Sequence, residues 1–172
     1  AMLLLGYELL TRRSELVALT TNDLEILDDG TMRVIIRRSK ADPFGQGRIA
    51  FTSQKTANAV QDWLAWRGPD INYLFCPIYR GTAVNRDLST TTVKRLVKSA
   101  AKAAGLETED IDAFSGHSLR VGAAQGLLCE GYDAVAIMWA GEQIVQYFKA
   151  VSGDGWASCL GVKRALKHVL KI

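Results

Sequence analysis

A histidine and an arginine three residues apart, His117 and Arg120, stand at the opening of the helix-forming stretch "SGHSLRVGAA", Ser115 to Ala124. Residues at i and i+3 share a helical face. A helix N-terminus also carries partial positive charge and N–H groups without intrahelical partners. Two donor side chains beside those groups make a candidate anion site, with phosphate a fitting ligand. The same pair also reads as an exposed histidine and arginine that solvate a helix end. The rest of the chain has to decide between the two.

A second cationic set lies in "LSTTTVKRLVKSAAKAAG". Lys94, Lys98 and Lys102 recur at helical spacing, with Arg95 beside them and no acid interleaved. Such a stripe also reads as a solvated helix face; like charges one turn apart are mildly destabilising, however, so a polyanion that neutralises them is the partner it suggests. Val93, Leu96, Val97 and Ala100 are the positions expected to face the core.

Composition sets the limits. A chain of 172 residues, 48% hydrophobic and 23% charged, suits one globular domain with a real core and argues against disorder. Lys plus Arg less Asp plus Glu is 21 − 18 = +3, which permits a nucleic-acid partner without requiring one. Cys76, Cys129 and Cys159 are dispersed and form no CxxC, which argues against a zinc ribbon or disulfide scaffold and suits a reducing compartment such as the cytoplasm. No apolar run approaches the ~20 residues of a membrane span. "MLLLGYELL" is short, lacks a basic region before it, and gives way to the charged "TRRSE". The chain opens as a helix already under way, so a preceding domain in a longer protein is expected.

The elements that must position these residues follow from periodicity. A helix is expected over residues 2–10, then a second one capped by Thr11 or Ser14. Asp28-Asp29-Gly30 marks a turn. "TMRVIIRR" and "RIAFT" read as strands joined through the Pro- and Gly-bearing "SKADPFGQG", with a short third strand nearby. "QKTANAVQDWLAW" is helical, and Ala59, Val60, Trp63, Leu64 and Trp66 form an expected core stripe. "YLFCPIYRG" reads as extended or loop. The lysine-bearing helix has Ser89 or Thr90 as cap and Gly105 at its C-terminal end. Further helices are expected from Leu119 through "CEGYD", in "AVAIMWAG", in "EQIVQYFKAVSG" and in "GVKRALKHVLKI". The expected fold class is mainly α with a small antiparallel β-sheet near the start.

Taken in chain order, four segments resemble the catalytic domain of tyrosine recombinases, the phage-type integrases, with the texture of the Cre-like members. "LLTRRSEL" is similar to the family's arginine box, an Arg followed three residues later by an acid, which matches Arg12 and Glu15. "IIRRSKADP" resembles the β-hairpin lysine segment and matches Lys40. "GHSLRVGAA" is close to the H-x-x-R box, with His117 and Arg120 in those places. "EQIVQYFKAV" resembles the helix of the nucleophile and matches Tyr147.

The resemblance implies the DNA breaking-rejoining fold over residues 1–172, with Arg12, Lys40, His117, Arg120 and Tyr147 catalytic and Glu15 supporting. It implies cleavage through a 3′-phosphotyrosine without metal or other cofactor, and a homotetramer on DNA linked through the C-terminal helix. No residue between Gly141 and Tyr147 matches the family's remaining site position, so that position stays unassigned. A catalytically silent DNA-binding module is the rival of another class. A type IB topoisomerase or telomere resolvase shares the chemistry.

Overall fold

The computed structural model describes residues 1–37, 47–115 and 117–141. They fall into two compact units. One comprises Ala1–Leu9 and Arg13–Thr90, the other Leu10–Arg12 and the chain from Thr91 onward.

In the first unit the β-branched run after Gly30 forms the strand that its composition predicts. Strand β2 (Met32–Ile36) buries Met32, Val34 and Ile36 and turns Arg33 and Ile35 outward, the period-two pattern of a sheet with one covered face. It pairs antiparallel with β1 (Leu24–Ile26) on one side and β3 (Arg48–Thr52) on the other, so that Val34 lies opposite both Leu24 and Ala50. Helices α1 (Met2–Glu8), α2 (Arg13–Ala18) and α3 (Gln54–Arg67) supply the rest of this core, with Leu5, Leu16 and Val60 buried beside Leu74.

Side-chain caps fix the joints. Ser53 Oγ accepts from Thr56 N–H at the start of α3 and donates to the Glu8 carboxylate at 2.7 Å. Buried Asp23 closes the turn Thr21–Asp23 by accepting from the Thr20 N–H and hydroxyl at 2.8 Å each, and it pairs with Arg37 just past β2.

The second unit is helical among the described residues: α4 (Thr90–Ala103, counted here from Thr91), α5 (Thr108–Ala113), α6 (Ser118–Cys129) and α7 (Ala134–Gly141). Helices α4 and α6 end alike. Gly105 and Gly131 take left-handed φ of 76° and 88°, and the next N–H in each case reaches back to a carbonyl of the last turn, Ala101 and Leu127 respectively. Buried Gly122, Ala123, Ala124 and Gly126 give α6 a thin face that neighbouring chain can approach closely.

Several expectations change. The third strand exists as β1, but a second sheet, the hairpin β4 (Ile78–Tyr79) and β5 (Thr82–Ala83), sits where extended chain was expected. Helix α5 was not anticipated. Helix α2 begins at Arg13, which leaves Ser14 inside its first turn.

Trp66 leaves the core. The buried row of α3 runs Thr56, Val60, Arg67, and Trp66 falls on its shoulder, exposed and stacked on Trp63 at 5.3 Å between centroids. Arg67 takes the inward place because its guanidinium donates to the Ile71 carbonyl. In α4 the buried row is Val93, Val97, Ala101, one residue per four, and this drift leaves Leu96 40% exposed.

No helix among the described residues is long and apolar enough to cross a membrane. The difference in α4 has a measurable consequence. Val93→Ala is expected to cost about 2 kcal/mol, and Leu96→Ala less than about 1 kcal/mol, by urea denaturation.

Candidate functional site

Arg120 occupies the first turn of α6, yet its side chain is only 7% exposed. A buried guanidinium must find acceptors, because desolvating the charge without them is costly. One acceptor is the carbonyl of Leu10, 110 positions away in sequence and in the same compact unit, which takes a 2.9 Å bond from Nη1.

Leu10 presents that carbonyl from a left-handed backbone, φ 53°, a region that a leucine rarely adopts. Two residues later stands Arg12, half-buried. Between them Thr11 is buried, and its hydroxyl has no hydrogen-bond partner among the described residues. The Arg box and the H-x-x-R box are therefore linked through one backbone carbonyl.

His117 is the N-cap residue of α6 and is exposed. The approach to it is held by hydroxyls: Ser118 Oγ accepts from the Ser115 N–H at 2.8 Å, and Ser115 Oγ accepts from the His117 N–H at 3.2 Å. The i, i+3 pair that shares a face in the sequence is thus divided by depth, the imidazole outside and the guanidinium inside. That division had no local signal, since it arises from Leu10.

The basic helix α4 keeps Lys94, Arg95 and Lys102 exposed. Lys98 is different. Its ammonium donates to Asp112 of α5 at 2.8 Å. The stripe that lacks an acid along its own helix therefore receives one from fourteen residues further on. Spacing within the helix could not reveal Asp112. Hydrogen bonding and then charge from Lys98, with a smaller contribution from Lys94, hold the Asp112 carboxyl below its ordinary value of 3.8.

Glu15 lies in the first turn of α2, buried, and belongs to the other unit. Lys40, Tyr147 and the expected C-terminal helix lie outside the described residues. Among those that are described, no three His, Cys, Asp or Glu side chains cluster as a metal site.

A mainly helical chain with small antiparallel sheets, in which a buried arginine of an H-x-x-R box is tied to the arginine box, has the features of an integrase-type domain. Comparison with known proteins agrees: residues 1–142 match the phage integrase family, and the chain belongs to it. It is 34% identical over 149 residues to an integrase/recombinase XerD homologue of Selenomonas ruminantium, covering 80% of this chain and 41% of that protein. It is 28% identical over 153 residues to the Cre recombinase of Escherichia phage P1, covering 82% and 44% respectively. The chain spans less than half the length of these relatives.

The Asp112 pair gives a pH prediction. A depressed carboxyl contributes its stabilisation fully above the ordinary value and loses it as pH falls through the lowered one. The Asp112 side-chain carboxyl resonance should titrate with a midpoint below 3.8, and Lys98→Gln should return the midpoint toward 3.8.

Proposed function

We propose that this chain is the catalytic domain of a site-specific recombinase that cuts and rejoins double-stranded DNA through a tyrosine-linked intermediate. The observation that carries the proposal is the Arg120–Leu10 hydrogen bond, which ties the H-x-x-R box to the segment bearing Arg12. Family membership and the similarity to two proteins named as recombinases support it.

The proposed chemistry follows from what a phosphodiester demands. The Tyr147 phenol oxygen attacks phosphorus; the bond from phosphorus to the tyrosine oxygen forms as the bond to the 5′-oxygen breaks, leaving a 3′-phosphotyrosine. The covalent link retains the bond energy, so the reaction can reverse onto a new 5′-hydroxyl without a high-energy cofactor or metal. Lys40 gives its proton to the leaving 5′-oxygen. His117 takes the phenol proton, or donates to a non-bridging oxygen while the phenol proton passes to solvent.

The pentacoordinate centre gathers negative charge on its non-bridging oxygens. Two guanidiniums, Arg12 and Arg120, meet that charge with forked donors, and Glu15 supports the arginine box. Lys94, Arg95, Lys98 and Lys102 grip the duplex backbone rather than read bases. A homotetramer on DNA, joined through the C-terminal helix, completes the proposed assembly.

Covalent trapping tests the proposal. A nicked duplex carrying the recombination site should yield a protein–DNA adduct that maps to Tyr147 by peptide mass and disappears in Tyr147→Phe. An adduct on another residue would reassign the nucleophile. Tight duplex binding by the full-length protein with no adduct on its own site would favour a DNA-binding module without catalysis.

A further inference from the structure

We propose that the β4–β5 hairpin is a DNA-contacting element, in which Arg80, steadied on Tyr79, binds a backbone phosphate of the duplex. The inference rests on the DNA-directed reading above and extends it to a surface of the first unit that no catalytic role uses.

The hairpin projects outward. Ile78 and Tyr79 are 54% and 64% exposed, and Val84 just beyond β5 is 38% exposed. Its turn consists of Arg80 and Gly81, with φ of 50° and 79°. Two successive positive φ values are the mark of the tight hairpin turn that favours Asn-Gly, because asparagine and glycine tolerate that backbone and longer side chains resist it. An arginine is thus held at the first turn position against its own backbone preference. Nothing in the hairpin's geometry calls for it: asparagine would form the same turn with less strain.

What arginine adds is its charge and fork. The guanidinium carbon lies 5.3 Å from the centroid of the Tyr79 ring. A cation over an aromatic face is held in place while its outer N–H edge stays available. Among the described residues Arg80 makes no ion pair. Asp70 and Asp87 lie outside the hairpin in sequence, and the Asp70 backbone carbonyl accepts from the Asn85 side chain.

A weakly hydrated planar cation, preset on a ring at an exposed tip, matches a phosphodiester, which takes two parallel N–H bonds. Presetting it lowers the ordering cost of binding. The contact is to backbone and carries no base preference.

The test compares the full chain with Arg80→Asn and Arg80→Lys by duplex titration over a range of salt concentrations, on cognate and unrelated duplexes. Arg80→Asn is expected to melt at the same temperature or higher, because asparagine suits the turn. It should nevertheless bind both duplexes several-fold more weakly, with the slope of log K against log salt smaller by about 1. Arg80→Lys should keep the slope and recover part of the affinity. Unchanged affinity and slope in a folded Arg80→Asn protein would overturn the hairpin assignment and leave the recombinase reading intact. Failure of the parent chain to bind any duplex would overturn both.

Discussion

The site depends on a charge that has been taken out of water. Arg120 is buried, and a buried guanidinium holds its place only while its acceptors hold theirs. The Leu10 carbonyl is one of them, and it points at Arg120 because Leu10 adopts a left-handed backbone. For a leucine that conformation costs on the order of 1–2 kcal/mol, while a hydrogen bond to a charged donor contributes roughly 1.5–3 kcal/mol. The two terms are of similar size, so strain at Leu10 and the charge of Arg120 sustain each other. Strain stored this way belongs where a geometry must be preset, and Arg12 stands two positions on.

The surrounding surface treats charge differently. On α4 Lys94, Arg95 and Lys102 stand in water, and among the described residues only Lys98 of these cations pairs with a carboxylate, that of Asp112. An exposed pair of this kind is worth little to stability and is weakened by salt. Its chief effect is on a partner: a phosphate that approaches Lys98 must compete with Asp112. Under the proposed function the buried guanidinium and the exposed ammonium groups would serve separate tasks, the first meeting a fixed reacting group, the second a duplex backbone that binds and releases.

Much of this was legible in the residues. The β-branched run Val34-Ile35-Ile36 announced β2, and Gly105 marked the end of α4, because both follow from local backbone preference. The two-residue strands β4 and β5 were not legible, since so short a run has no period to read. Trp66 was misplaced because hydrophobicity predicts burial only when no neighbour competes, and Arg67 had the Ile71 carbonyl to go to. In the site, spacing was enough to single out His117 and Arg120, and the order of the four segments pointed to the family. Spacing could not show that Arg120 turns inward, because its acceptor is 110 residues away and leucine carries no cue for a left-handed backbone. Asp112 was missed for the same reason: its partner lies on another helix. The assignments of Lys40 and Tyr147 rest on resemblance alone.

In the proposed mechanism Arg12 and Arg120 act as one clamp on one phosphoryl group, and a double-mutant cycle on strand cleavage tests this most directly. Single-turnover cleavage of a nicked duplex would be measured for Arg12→Ala, Arg120→Lys and the double variant, with melting temperatures to confirm that each folds. Each single change should slow cleavage by roughly 100- to 1,000-fold. The double variant should be little slower than the worse single, because groups that act as a unit do not lose their effects additively. A double variant whose loss equals the product of the two single losses would show two independent roles and contradict the clamp.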